Sequence, residues 1–241
     1  MSRTVMLDVE GTLVDGSEAE ALAWLDAFHE AGFDHVSAET VRSLVGMAVG
    51  TLLPCAVGLS PNGAAGRRIV VRRRAIFTQR YLERVRRFPE VDALLRRMRE
   101  DGFALFAVSP SGDRTEVEAL LSVAGVGDLI DWIVPAEDGD PDSAGHLIGS
   151  ALIQTGRPRQ EAVMVGDTPY DLHAARDAGV GMIGLRSGGW NDLDLVGAWG
   201  IYNDPADLLA RYSESPLSQI GRTATFDTWV HRRRRVPLVP W

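Results

Sequence analysis

The sequence predicts an α/β fold in which helices cover a parallel sheet and a helical segment is inserted after the first strand. Short apolar runs alternate with helical patterns over most of the 241 residues, which is typical of strands joined by helical crossovers. Between about residue 16 and residue 88, only helical patterns occur. Acidic or hydroxyl side chains directly follow several apolar runs, and ligands of parallel sheets bind at this end of the strands.

Six apolar runs have the length and composition of buried strands, and helical patterns separate most of them. The predicted strands are Thr4–Leu7, Phe103–Val108, Ile130–Val134, Ala162–Val165, Met182–Leu185 and Gly200–Tyr202. The predicted helices between them are Val91–Glu100, Glu116–Val123, His146–Gln154 and Leu172–Ala178.

The inserted segment is predicted to be a helical lid. Ser17 and Glu20 have the spacing of a capping box, and the helix that they begin is expected to end at Gly32. Two further helices are predicted at Ala38–Val45 and Arg67–Arg87, with a loop at Gly58–Gly66. The last of these helices carries nine arginines, for which a solvated face is the ordinary explanation. Binding of an anionic substrate by one or two of them is the alternative.

Composition narrows the function classes. The net charge of −8 does not favour nucleic-acid binding, no apolar run reaches membrane-spanning length, and the N-terminus lacks a signal pattern. We therefore expect a cytoplasmic protein with no nucleic-acid or membrane partner. Cys55 is the only cysteine and is expected to be a small buried apolar residue. All 25 basic residues are arginine, so chemistry that needs an ammonium side chain is closed to this chain.

Acidic residues stand where two of the predicted strands end. DVEGTLVD, residues 8–15, follows an apolar run, and VMVGDTPYD places Asp167 and Asp171 across a turn into a helix. A buried carboxylate is costly unless it is paired or bound to metal. Asp171 alone could be a helix cap, whereas Asp8 facing Asp167 calls for a hard divalent cation such as Mg²⁺. Ser109, after the second predicted core strand, could donate its hydroxyl to an anion.

These three elements together resemble the haloacid dehalogenase superfamily. The resemblance rests on an acidic D-x-E-G-T-L-V strand end, a serine after a later strand, and G-D-x-x-x-D, and it covers roughly residues 4 to 212. It implies a Rossmann-like core at residues 1–15 and 89–213, with a helical cap at 16–88. Residues 214–241 form a tail outside the resemblance, and its four consecutive arginines leave a protein or anionic partner as a hypothesis.

The family's roles are carried over residue by residue. Asp8 would be the nucleophile that forms an aspartyl-phosphate, and Glu10 would protonate the leaving group and later activate water. Ser109 would bind the transferred phosphoryl group. Asp8, Asp167 and the main-chain carbonyl of Glu10 would hold Mg²⁺, and Asp171 would fix their arrangement.

The resemblance also implies contacts with a small phosphorylated substrate. On the core side these are Gly11, Thr12, Ser111 and Gly112. On the cap side we predict Arg42, because VRSLVGM resembles the cap segment that meets substrate in relatives.

Three positions depart from the family's phosphatases. Glu10 stands where the family usually has aspartate, and Pro110 stands where a backbone N–H commonly binds phosphate. The family's lysine would fall near Asp140, and the chain has no lysine. Arg114 and Arg157 are the candidate substitutes for its charge.

Two hypotheses about function follow. The first is a Mg²⁺-dependent phosphohydrolase that acts on a small phosphorylated metabolite, and the retained nucleophile and metal acids favour it. The second is a catalytically impaired binding or regulatory protein on the same fold, which the three departures favour. The acid at position 10 argues against dehalogenation, and phosphonate cleavage through a cap lysine is excluded.

Overall fold

The computed structural model describes residues 3–136 and 144–220. In chain order its strands and longer helices are β1 (Arg3–Leu7), β2 (Val14–Asp15), α1 (Ser17–Glu30), α2 (Ala38–Arg42), α3 (Val49–Val57), α4 (Ala64–Ile76), β3 (Arg86–Arg87), α5 (Val91–Glu100), β4 (Phe103–Ser109), α6 (Arg114–Ala124), β5 (Trp132–Pro135), α7 (Ala144–Thr155), β6 (Ala162–Gly166), α8 (Pro169–Asp177), β7 (Gly181–Leu185), β8 (Gly200–Tyr202), α9 (Pro205–Ala210) and α10 (Pro216–Gln219).

The core sheet has six parallel strands in the order β5-β4-β1-β6-β7-β8, which confirms the predicted fold class. β1 is central, and Leu7 at its end pairs with Ala107 of β4 and Val165 of β6. The chain first adds β4 and β5 on one side of β1, and it later adds β6, β7 and β8 on the other side. The carboxyl end of β1 is therefore the switch point, where parallel sheets bind their ligands.

Alternate residues of the central strand pack on opposite faces of the sheet. Val5 and Leu7 belong to one buried apolar cluster, to which α5 and α6 contribute Leu94 and Leu120. Met6 belongs to a second cluster, which it shares with side chains of α7 and α8 such as Ile148. Because both faces are covered, the strands read as continuous apolar runs rather than as alternating ones.

The inserted helices α1 to α4 lie between β2 and β3, which pair antiparallel through Val14–Arg87 and Asp15–Arg86. The chain enters the insertion through β2 and leaves it through β3, so this short ribbon holds the two connecting segments side by side. Trp24 and Phe28 of α1 stack with ring centroids 5.6 Å apart inside the insertion. We propose that residues 16–88 form a cap, whereas residues 1–15 and 89–213 belong to the core.

Several details of the insertion differ from the sequence predictions. The predicted 67–87 helix is wrong at both ends, because α4 begins at Ala64 and the last two residues form β3. A π-helical segment at Phe77–Tyr81 and a 3₁₀ turn at Leu82–Arg84 separate α4 from β3. Helix α3 was not predicted, since it is short and contains an internal proline.

Further local predictions are wrong at α1, α2 and Cys55. The expected capping box is absent, because Gly16 is the N-cap of α1 and Ser17 is its first helical residue. The predicted 38–45 helix ends at Arg42. Cys55 is exposed, because it lies on the outer side of α3, whereas Leu52 and Leu53 are buried.

The first residues of the predicted tail belong to the folded core. Helix α10 follows a 3₁₀ turn at Tyr212–Glu214, and the side chain of Leu217 is completely buried. The arginine run of the tail lies outside the described residues. Within the described ranges, no helix is long and apolar enough to cross a membrane.

Candidate active site

Buried carboxylates meet where β1 and β6 end. Asp8 follows β1, and its backbone N–H donates to the carbonyl of Val165 at 2.9 Å. Asp167 follows β6, and Asp171 lies in the first turn of α8. Oxygens of these three carboxylates lie within 4.8 Å of one another, and all three residues are buried. The structure thus brings together the acids that the sequence placed at separate strand ends.

Glycines let two loops close around Asp167. Gly11 has a φ of +85°, and a Cβ at Gly11 or at Gly188 would overlap the Asp167 carboxylate. Thr12 donates its hydroxyl to Asp167 Oδ1 at 2.8 Å, and Ser187 donates to the carbonyl of Gly11 at 2.6 Å. The loop after β1 and the loop after β7 therefore hold Asp167 from two sides.

Asp171 is fixed by the helix cap of α8. Thr168 and Asp171 form a reciprocal capping box, in which Thr168 donates its backbone N–H (3.0 Å) and its hydroxyl (2.8 Å) to Asp171 Oδ2. The Asp167 backbone N–H approaches the same oxygen at 3.3 Å. Both predicted interpretations of Asp171 therefore apply, since it caps the helix and lies within the carboxylate cluster.

Burial is the main reason why the pKa values of the clustered acids are raised. Burial raises the pKa of Asp8 well above its usual range, and the charges of Asp171, Asp167 and Glu10 raise it further. Burial followed by the charge of Asp171 does the same for the pKa of Asp167. Burial raises the pKa of Asp171 to about 6. A divalent cation would offset this repulsion, and a set of hard oxygen donors fits Mg²⁺.

Glu10 faces a second buried charge cluster, which the sequence did not reveal. Arg73 of α4 is completely buried, pairs with Glu116 of α6 and lies 3.2 Å from Glu20 of α1. Burial raises the pKa of Glu10 well above its usual range, the charges of Glu20 and Glu116 add to the effect, and Arg73 opposes it. Ile69, Arg73 and Phe77 are spaced by four residues, so helical spacing was the one available signal that Arg73 faces inward.

A cavity of about 480 Å³ opens between the carboxylate cluster and the inserted helices. Five of the predicted site residues line it, namely Asp8, Glu10, Arg42, Ser111 and Asp167. Residues that were not predicted to belong to the site also line it, including Asp15, Glu18, Glu20, Ser187, Gly188 and Trp190.

The remaining predicted site residues lie behind the wall of the cavity. Gly11, Thr12 and Asp171 surround Asp167, as described above. Ser109 is completely buried, and its hydroxyl accepts a hydrogen bond from the Gly112 backbone N–H at 3.1 Å. The loop after β4 therefore presents Ser111 to the cavity, together with Pro110, which has no N–H to offer.

Neither proposed substitute for the family's lysine lines the cavity. Arg114 donates to the carbonyl of Ile133 at 3.2 Å and lines a separate groove beside Trp132. Arg157 is absent from the cavity wall. Asp140 lies outside the described residues. Of the described residues that line the cavity, Arg42 is the one basic side chain.

Comparison with known proteins agrees with this geometry. Residues 5–185 match the family described as haloacid dehalogenase-like hydrolase, and the chain therefore belongs to that family. It is 28% identical over 195 residues to a probable phosphatase, IndB, of Dickeya dadantii, covering 78% of this chain and 83% of the relative. It is also 28% identical to a phosphoglycolate phosphatase of Pseudomonas putida, covering 78% and 71% of the two chains.

Solved structures share the fold. A hydrolase from Pseudomonas syringae superposes with a TM-score of 0.79 at 24% identity, covering 88% of this chain and 99% of the other. A β-phosphoglucomutase from Clostridium difficile gives a TM-score of 0.77 at 16% identity, covering 91% and 98%. At these identities the likeness establishes the architecture alone.

Proposed function

We propose that this protein is a Mg²⁺-dependent phosphatase that hydrolyses small phosphate monoesters through an aspartyl-phosphate on Asp8. The observation that carries the proposal is the buried cluster of Asp8, Asp167 and Asp171 beside a cavity of about 480 Å³. Phosphatase names among the relatives support the same chemistry. The match to the family over residues 5–185 supports the choice of Asp8 as the nucleophile.

Asp8 and Asp167 would hold Mg²⁺ with the main-chain carbonyl of Glu10, and Asp171 completes the acidic set. The bound ion would offset the charge of the carboxylates and of the substrate phosphate. Thr12 keeps one Asp167 oxygen oriented by its hydrogen bond, and the capping box does the same for Asp171. The protein's contribution to metal binding is therefore a fixed set of oxygen donors.

The reaction itself would take two steps. A carboxylate oxygen of Asp8 attacks phosphorus, the ester P–O bond breaks, and the departing alkoxide takes a proton from Glu10. Glu10 then removes a proton from water, the resulting nucleophile attacks phosphorus, and the Asp8–phosphorus bond breaks to release inorganic phosphate. Burial favours the protonated form of Glu10, which suits its first task. Ser111, which lines the cavity on the loop after β4, would contact the phosphoryl group, and the hydrogen bond between Ser109 and Gly112 behind it would support that loop.

The test is turnover of a generic aryl phosphate with Mg²⁺, by wild type and by Asp8→Asn. We expect Asp8→Asn to abolish turnover while circular dichroism and the melting temperature show an intact fold. Asp34→Asn, which removes an exposed cap carboxylate away from the cavity, serves as the matched control. Turnover that survives in Asp8→Asn would rule out the proposed nucleophile.

The impaired-protein hypothesis predicts a different result in the same assay. Pro110 lines the cavity where the family resemblance expects a phosphate-binding N–H, and this observation favours it. If wild type binds Mg²⁺ by calorimetry but hydrolyses no phosphate ester, the fold serves binding rather than catalysis.

A further inference from the structure

The cap-side wall of the cavity is acidic. Asp15, Glu18 and Glu20 contribute to the lining from β2 and the first turn of α1, in addition to the carboxylates at the strand ends. A leaving group bound beneath the cap would meet these side chains. The negative charge of this wall therefore affects which phosphate esters the cavity binds, through the charge of their alcohol portion.

The guanidinium on this wall is already occupied. Arg42 Nε donates to Glu18 Oε2 at 2.8 Å, and Nη2 donates to Glu18 Oε1 at 2.7 Å. This two-point geometry satisfies both carboxylate oxygens of the partner. An anionic group on the substrate would have to share Arg42 with Glu18, whose charge already offsets that of the guanidinium.

Asp15, in contrast, has a free carboxylate. The side chain is exposed and lines the cavity, and its carboxylate has no hydrogen bond or ion pair with any residue in the described ranges, although its backbone pairs with that of Arg86. The Glu20 side chain is buried, and its charge is already shared with Arg73. The wall thus offers one unpartnered negative charge and no unpartnered positive charge among its described residues.

We propose that the substrate is a phosphate monoester whose alcohol portion carries an ammonium group, which Asp15 binds while Glu18 stays paired with Arg42. This inference rests on the phosphatase function proposed above and narrows its substrate class. It separates the chain from relatives named as phosphoglycolate phosphatases, because phosphoglycolate carries a carboxylate in place of the ammonium group.

Three esters with the same two-carbon skeleton provide the test. O-phosphoethanolamine carries an ammonium group, 2-hydroxyethyl phosphate a neutral hydroxyl, and 2-phosphoglycolate a carboxylate. We expect kcat/KM to fall in that order, with about a fivefold advantage of ammonium over hydroxyl, as for a favourable exposed ion pair. Asp15→Asn should remove most of this advantage, whereas Asp34→Asn should keep it.

Glu18→Gln supplies an independent variant. It frees Arg42 from its partner, so it should raise kcat/KM for 2-phosphoglycolate relative to the hydroxyl ester by about fivefold. Either of two results would overturn the inference while leaving the proposed function standing. Wild type could prefer the carboxylate ester, or Asp15→Asn could keep the full preference for the ammonium ester. If the aryl phosphate is hydrolysed in the presence of Mg²⁺ but none of the three esters is, the inference fails and the proposed function stands. If the aryl phosphate is not hydrolysed either, both fail.

Discussion

Arg73→Met is expected to destabilise the protein more than any other arginine substitution on α4. Arg73 is completely buried, and it pairs with Glu116 of α6 and with Glu20 of α1. Although burial alone lowers its pKa, the charges of Glu116, Glu20 and Glu10 raise that pKa overall, so the guanidinium stays charged. Removing it leaves buried carboxylates without a counter-ion.

The magnitude follows from the burial of all partners. Breaking a buried ion pair by removing one member costs about 3–5 kcal/mol, because the remaining charge is uncompensated. Arg73 also lies over the rings of Trp24 (5.4 Å) and Phe77 (5.0 Å), and methionine keeps most of that apolar packing. For a chain of this size, 1 kcal/mol corresponds to roughly 2–4 °C in melting temperature. We therefore expect a decrease of about 6–20 °C.

The neighbouring residue supplies a matched control. Arg72 pairs with Glu30 through a 3.0 Å hydrogen bond, but the two side chains are 43% and 38% exposed. Exposed pairs contribute little to stability, so Arg72→Met should lower the melting temperature much less than Arg73→Met does. Differential scanning calorimetry of both variants measures the contrast within one helix.

The refuting result is a decrease in Arg73→Met no larger than that in Arg72→Met. Adding Glu116→Gln to Arg73→Met provides a second check, since it removes one of the stranded charges. If charge is the cause, the double variant is more stable than Arg73→Met alone. If it is equally unstable or less stable, lost packing explains the effect instead.

Four further predictions concern the site. Because the pKa of Asp171 is raised to about 6, protons compete with metal below that pH, and calorimetric Mg²⁺ affinity should rise between about pH 5 and 7. The same shift means that the metal-free folded state loses stability as pH rises from about 4 to 6, which thermal melts of wild type and Asp171→Asn would compare. Gly188→Ala should weaken Mg²⁺ binding at least about tenfold, because its Cβ would overlap the Asp167 carboxylate, and unchanged affinity would contradict the site geometry. Asp140→Lys should raise turnover of an aryl phosphate, and adding Glu10→Asp should raise it further, whereas slower turnover in Asp140→Lys would show that the chain has its own cation.

The sheet could be predicted because its signal is local. Each core strand is a continuous apolar run, and burial on both faces is what such runs indicate. Asp8, Ser109 and Asp167 follow three of these runs, so placing them at one edge of the sheet required only the rule that parallel strands end together. The carboxylate cluster was accessible to sequence reasoning for the same reason.

The cap-side contacts could not be predicted because they join residues far apart in the chain. Helical spacing from Ile69 and Phe77 indicates that Arg73 faces inward, but nothing local in the sequence shows that its partners are Glu20 of α1 and Glu116 of α6. The pairing of Arg42 with Glu18 spans 24 residues. The ends of helices were predicted wrongly for a different reason. At α1, Gly16 takes the N-cap position that Ser17 was expected to hold.

Charge balance connects the site, the cap and the absent lysine. Arg73, next to Glu10, is paired with two glutamates, and Arg42, on the cavity wall, is paired with Glu18. The charge of each guanidinium is therefore already offset by at least one neighbouring carboxylate. Among the described residues at the site, the proposed phosphatase would draw positive charge for the phosphate mainly from a metal ion, which the buried acids could hold. If the protein works as proposed, Mg²⁺ would serve both in binding phosphate and in stabilising the transition state, so removal of Mg²⁺ should raise KM and lower kcat together.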